Sequence, residues 1–402
     1  MKKLAIFTPG FLPVPATDGG AVETLITYLI KENENNPIYK IDLYTITDDA
    51  KKTYDFKYTK LILIPNKQKN FFIHIYYALK NRITWWLGRS QKIYSYARYR
   101  MIKDFKEDYY DEILIENNMD IYEGLLPKIK KEKVDFHLHN DFDCNDRAKT
   151  KEKMQLVANT ADKILVPSTF LKNKILSEVS VHSSKQIKVL YNAVNLKNLH
   201  HLSKKEINTL KLKYNINEAD TVFTFIGRFN SDKGIDKLLE SINLIKKNNI
   251  KFLLVGDNKE KKYGNYKYLN KIKSLSKNIA SKIIFTGYIP NKQLYKIYSI
   301  TDCVIIPSQV EEIFGVVGLE TMTMGIPIIS TEIGALPEII SRNCGIFVKK
   351  DKNYSKNLAN AIIYVATNIN LRKKLGTNGV KRSQLFPSSS EQYFKNFNEC
   401  IN

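Results

Sequence analysis

The chain has 402 residues, more than one hydrophobic core usually serves, so two domains of roughly 200 residues each are the starting expectation. With 43% hydrophobic and 26% charged residues and no low-complexity tract, the composition excludes a disordered chain. A formal charge of +22 leaves nucleic acid, an anionic membrane surface and phosphorylated substrates open as partners, and charge alone does not choose among them.

LAIFTPGF (4–11) reads as a buried strand running into a loop, and AVETLITYLI (21–30) has the apolar spacing of an amphipathic helix, so the chain opens on a βα unit. IDLYTI (41–46) and LILI (61–64) are further short apolar runs. Between Pro65 and Lys106 come ten Lys/Arg and a single acid, Asp104, interleaved with Phe71, Phe72, Tyr76, Tyr77, Trp85, Trp86, Tyr94, Tyr96 and Tyr99. That mixture suits a bilayer interface; a helical hairpin with inward aromatics and solvated cations is the competing reading. DEILIEN (111–117), VDFHLHN (134–140), DKILVPS (162–168) and IKVLYNAV (187–194) complete a pattern that favours a parallel sheet covered on both faces. A linker is expected from Asn195 to Ser203.

The pattern restarts at TVFTFIGRF (221–229). Helix IDKLLESINLIKK (235–247), strands KFLLVGD (251–257) and KIIFTGY (282–288), helix NKQLYKIYSI (291–300) and strand CVIIPS (303–308) follow. Helix VVGLETMTM (316–324) stops at Gly325 and Pro327, and IPIIS (326–330) is the next strand. SSSEQYFKNFNECI (388–401) has a capping serine and helical apolar spacing, and is expected to cross back onto the first domain. The expected division is therefore 1–200 with 388–402, and 201–387. The fold class is α/β, two doubly wound domains. Cys144, Cys303, Cys344 and Cys400 show no ligand spacing and read as reduced thiols, no run of about 18 apolar residues exists, and the expected compartment is the cytoplasm.

Three pieces of the second half carry chemistry. In FIGRFNSDKG (225–234) a strand ends at Gly227, then Arg228 and Lys233 place two permanent cations where doubly wound sheets bind ligands. They suit a pyrophosphate, Arg228 as a fork and Lys233 as a point charge, although a solvated turn with two surface cations explains the same residues. In PSQVEEIFGVVGLETMTMGIPII (307–329), Gly315 lets the backbone approach an anion at the start of a helix whose free amides point at it. Glu320, one turn in, can accept from ribose hydroxyls, and Glu312 from those of a sugar. EIGALPEII (332–340) is expected to border the same place.

Together these pieces resemble the retaining GT-B glycosyltransferases of family 4, and PATDGGAVETLITYL (15–29) looks like that family's glycine-rich first loop. The resemblance spans nearly the whole chain, and its PSxxEExFGxxxLExMxxGxP block is highly specific. It implies two Rossmann-like domains facing across a cleft, the second holding a nucleotide-sugar. By resemblance, Arg228 and Lys233 contact the donor diphosphate, Glu312 the donor sugar and Glu320 the ribose. Phe314, Gly315, Val316 and Val317 form the phosphate loop, Tyr288 and Ile289 join the donor site, and Gly19 and Gly20 lie across the cleft. His139 matches the histidine near the transferred sugar, with His137 as a competing register. Catalysis is thereby assigned to Glu312, His139, Arg228 and Lys233. Asn192-Ala193-Val194-Asn195 departs from the usual Asn-Gly-Val-Asp turn, and Thr321 and Thr323 replace small alanines.

The resemblance implies hexosyl or N-acetylhexosaminyl transfer with retention, from a nucleotide-sugar (UDP by default) to a glycan or lipid-linked acceptor in surface polysaccharide assembly. Capsule and lipopolysaccharide are the expected products, at the inner face of the cell membrane. No cofactor and no metal are expected: no Asp-x-Asp lies near the donor residues, and Asp141-Phe142-Asp143 sits in the other half. The alternative is a catalytically idle subunit that binds a partner transferase, against which the presence of Arg228, Lys233, Glu312 and Glu320 argues. Nucleic acid is not expected, since only charge supports it.

Overall fold

A computed structural model describes residues 1–16, 20–47, 54–66, 71–86, 96–142, 147–194, 200, 202–256 and 266–402. The chain divides into two compact units, Met1–Tyr191 with Ser390–Asn402, and Asn192–Ser389, so the expected boundary at residue 200 falls inside the second unit.

The first unit runs β1 (Lys2–Phe7), α1 (Ala21–Asn35), β2 (Tyr39–Thr47), β3 (Thr59–Pro65), α2 (Phe71–Trp86), α3 (Tyr96–Lys103), β4 (Glu112–Glu116), α4 (Met119–Leu125), β5 (Lys133–His137), α5 (Arg147–Thr160), β6 (Lys163–Val166), α6 (Thr169–Glu178) and β7 (Ile187–Val189). All strands are parallel, in the order β3-β2-β1-β4-β5-β6-β7. Leu4, Ala5, Ile6 and Phe7 are all buried, as a strand covered on both faces requires. The order reverses between β1 and β4, the switch point beside which doubly wound sheets take their ligands. Below that edge, Asp135 of β5 lies against Glu112 of β4, and burial with this acidic neighbour pushes the Asp135 carboxyl up to about 9.

The second unit repeats the plan as α7 (Lys204–Lys213), β8 (Thr221–Ile226), α8 (Ile235–Asn243), β9 (Ile250–Val255), α9 (Tyr266–Ser276), β10 (Ile283–Gly287), α10 (Leu294–Tyr298), β11 (Cys303–Ile306), α11 (Val316–Thr323), β12 (Ile328–Thr331), α12 (Leu336–Ile340), β13 (Gly345–Val348), α13 (Tyr354–Thr367) and α14 (Ile369–Ser383). Its parallel order is β10-β9-β8-β11-β12-β13, with the switch between β8 and β11. α7 starts on a full capping box, Ser203 and Glu206 satisfying each other's backbone amides. α8 stops four residues before its expected end, where the Leu244 and Ile245 amides bond back to the Ser241 and Ile242 carbonyls in a tighter turn and Ile245 is buried while Leu244 is exposed. The strand β13 and the pair α13 and α14 were not individually foreseen.

A last helix, α15 (Ser390–Ile401), belongs to the first unit. Tyr393, Phe394, Phe397 and Ile401 form its buried face, and Ser390 Oγ donates to Glu32 of α1 at 2.6 Å. Beyond it, Lys2 Nζ donates to Asn402 Oδ1 at 2.7 Å. Among the described residues no helix is long and apolar enough to cross a membrane.

Candidate active site

In the second unit the residues gather at the carboxyl edge of β8 and β11. After β8, Asn230 Oδ1 accepts from the Lys233 amide at 3.1 Å and so folds the loop that carries the lysine. Gly234 then enters α8 at φ +69°, and a Cβ there would stand 1.9 Å from the Pro307 carbonyl oxygen, so only glycine lets this loop close on the end of β11. Arg228 is exposed and forms no ion pair among the described residues. Lys233 Nζ instead meets Glu312 Oε1 at 2.5 Å, both partly buried.

Glu312 is fixed from two further sides. Ser308, 1% exposed at the end of β11, donates its hydroxyl to the same Oε1 at 2.6 Å. The Glu312 carbonyl accepts from the Ala335 amide at 2.7 Å, and a Cβ on Gly334 would stand 2.4 Å from that carbonyl oxygen and 2.6 Å from the Glu312 nitrogen. The EIGALPE segment thus supports the Glu312 loop directly.

Phe314 is buried, and Gly315 at φ +89° caps α11, with Leu336 where its Cβ would be. No side chain caps this helix start. Its first amides, at Val316 and Val317, have no carbonyl within the helix to bond, so they carry the partial positive charge that draws an anion. Glu320 follows, with Oε2 accepting from Tyr298 Oη at 2.8 Å. Burial raises the Glu320 carboxyl to about 7, and the Tyr298 hydrogen bond only partly opposes this. Tyr288 and Ile289 follow the outermost strand β10; Tyr288 is 53% exposed.

In the first unit, Gly20 stands at φ +97° before α1, with Glu23 Oε2 and Leu12 where its Cβ would be; Gly19 lies outside the described residues. His139, just past β5, is buried, and its Nε2 lies 2.7 Å from Glu116 Oε2 at the end of β4. His137 Nδ1 approaches the same oxygen at 3.1 Å, so both histidines of the competing registers converge on one carboxylate. Burial would raise Glu116, but His137 and His139 beside it prevail and bring the carboxyl down to about 2. Burial, then His137, lowers His139 to about 4 against its bond to Glu116. The ring is therefore neutral near pH 7, with Nε2 donating to Glu116.

Glu116, His137 and His139 are also the trio among the described residues whose ligand atoms, within 4.8 Å of one another, could hold a metal. The 2.7 Å contact is a direct carboxylate–imidazole hydrogen bond. His139 Nδ1 and His137 Nε2 find no acceptor among the described residues, whereas metal-bound histidines anchor their second nitrogen. Asp141 pairs with Lys174 at 2.6 Å, which ties down its loop, and Asp143 lies outside the described residues.

Sequence reasoning gave no role to Ser308, Tyr298 or Glu116. Ser308 lies inside the motif block and was legible there; Tyr298 and Glu116 reach their partners only through tertiary packing.

Two parallel α/β units of this kind define the GT-B fold. The chain matches sucrose-phosphate synthase of Thermosynechococcus elongatus with a TM-score of 0.74 at 19% identity, covering 99% of this chain and 98% of that one. It matches Anabaena HepE in complex with UDP and glucose with a TM-score of 0.72 at 15% identity, covering 99% and 98%. Residues 206–382, within the second unit, match the family described as Glycosyl transferases group 1. The chain is 30% identical over 231 residues, 57% of its length and 56% of the relative's, to the lipopolysaccharide 1,2-N-acetylglucosaminetransferase of Salmonella typhimurium. It spans about half the length of the curated relatives it matches at 28–30% identity.

Proposed function

We propose that this chain is a retaining glycosyltransferase that moves a hexosyl or N-acetylhexosaminyl group from a UDP-sugar to a glycan or lipid-linked acceptor in cell-surface polysaccharide assembly. The observation that carries the proposal is the Lys233–Glu312–Ser308 cluster beside the uncapped start of α11. It sets a lysine cation, a carboxylate and free amides on one edge of the unit that matches the Glycosyl transferases group 1 family.

In this reading the diphosphate takes Lys233 from Glu312 and also engages Arg228 and the amides of Gly315, Val316 and Val317. Glu312 is then free to accept from hydroxyls of the donor sugar, held in place by Ser308. Glu320 accepts from the ribose, and Phe314, Tyr288 and Ile289 complete the donor side. His139 serves the transferred sugar through its ring, oriented by Glu116, and Gly19 and Gly20 serve the phosphates. The bond from the anomeric carbon to the diphosphate breaks and a bond to the acceptor oxygen forms on the same face. The acceptor's proton passes to an oxygen of the departing phosphate. Fixed cations and amides aimed at the charge growing there supply the main rate enhancement. The UDP preference draws support from the HepE complex, and the polysaccharide setting from the Salmonella relative.

Calorimetry and thermal shift with UDP, GDP, ADP and their sugars on wild type and Glu320→Ala test this. UDP binding that the variant loses is expected. No binding of any nucleotide to wild type would overturn the proposal in favour of an idle subunit.

A further inference from the structure

The helix α2 departs from the rest of the surface. Large apolar side chains are exposed at Phe72 (80%), Ile75, Tyr76, Leu79 (55%) and Ile83 (59%). Steps of three, one, three and four residues put all five on a single stripe of the helix. Elsewhere among the described residues no element carries more than two exposed large hydrophobics. Scattered exposed apolar residues need no explanation, but a continuous stripe does.

We infer that α2 docks the protein on an anionic lipid bilayer, lying in the interface with this stripe in the acyl boundary. The sixteen residues of α2 span about 24 Å, too short for a hydrocarbon core of about 30 Å, so the helix lies on the membrane and does not cross it. Charge selects the lipid. The helix contains no acid, Arg82 is exposed beside the stripe, and residues 65–106 hold ten Lys/Arg, of which Arg98, Arg100 and Lys106 are already paired with Asp120, Asp104 and Asp42. Basic residues not paired in this way are drawn to acidic headgroups by about 1 kcal/mol each. The centre of a protein interface is depleted of such charge, whereas phosphate-directed nucleic-acid binding gives Leu79 and Ile83 nothing to bury. A bilayer uses both halves of the helix at once. The inference is independent of the transfer chemistry.

Both tryptophans of the chain, Trp85 and Trp86, are in α2, so the unmodified protein reports on its own docking. Vesicles of phosphatidylcholine, with and without about a third phosphatidylglycerol, are mixed with the full chain while tryptophan emission and cosedimentation are followed. A blue shift and cosedimentation with the anionic vesicles, both fading as salt rises from about 0.05 to about 0.5 M, are expected. Leu79→Ser/Ile83→Ser should weaken partitioning by about tenfold or more, and Arg82→Glu by a smaller factor, with thermal stability unchanged. Absence of any emission shift with anionic vesicles overturns the inference without recourse to a variant. So does equal binding by Leu79→Ser/Ile83→Ser. Self-association that the double variant abolishes, without vesicle binding, would assign the stripe to a second copy of this chain instead.

Discussion

Glu116 and Glu320 are carboxylates near the carboxyl edges of the two parallel sheets, and their surroundings drive them in opposite directions. Glu116 sits against His137 and His139 and falls to about 2; Glu320 has the phenol of Tyr298 and climbs to about 7. Burial disfavours charge at both, and what differs is whether the partner can carry a compensating positive charge. In the first cluster the two rings share one oxygen of the carboxylate, Glu116 Oε2, while Oε1 finds no partner among the described residues. The second has exposed Arg228, uncapped amides and a carboxylate whose charge its surroundings disfavour, and in the proposed function a ligand with both phosphate and hydroxyls completes it.

If the second cluster is the one built for a ligand, Lys233→Ala should lower kcat/KM by about 100-fold to 1000-fold in steady-state kinetics with the matched nucleotide-sugar. A loss below tenfold would place the anion elsewhere. Gly334→Ala strikes the same cluster through the backbone, since its Cβ overlaps the Glu312 backbone at φ +58°. It should cost about 1–3 kcal/mol, seen by calorimetry as a fall of several degrees in the melting of the second unit, with the first unit unmoved.

The pH response sharpens the contrast. Glu320, raised from 4.5 to about 7, holds a proton when folded that the unfolded chain has released, so its site loses stability as pH climbs from about 4.5 through 7. His139, lowered from 6.5 to about 4, works in reverse and its site loses stability as pH falls from about 6.5 to 4. Glu320→Gln should therefore flatten the alkaline-side decline, and His139→Gln the acid-side one, in unfolding measured across pH 4–8. Slopes that change the same way in both variants would dissolve the contrast. Nucleotide affinity should also rise with pH through about 7 as Glu320 ionises to accept from the ribose.

The smallest effect expected is that of Tyr298→Phe. Removing one neutral-to-acid hydrogen bond costs about 1 kcal/mol, or roughly fivefold in nucleotide affinity by calorimetry. The same change should raise the Glu320 pKa further, since the bond now lowers it.

Much of this architecture is written locally. Period and punctuation place β8, β9, β10, β11 and β12, and glycines mark where the backbone must turn or come close. Gly234 and Gly334 are needed because a carbonyl or a loop occupies the space a Cβ would take, so motif and contact coincide. Residues 341–387 gave less: β13 is four residues long, and α13 and α14 carry none of the site's chemistry to draw the eye.

The sequence by itself determined the two α/β units, the loops carrying Arg228, Lys233, Glu312 and Gly315, and the return of α15, because each depends on short-range spacing of apolar, capping and glycine residues. Tertiary structure alone decided that Lys233 meets Glu312 across 79 positions, that Tyr298 lies on Glu320, and that both histidines share Glu116. It also decided that the apolar stripe of α2 faces outward. Strand order sets these pairings: parallel crossovers bring distant strand ends to one edge, and no local pattern records which ends become neighbours.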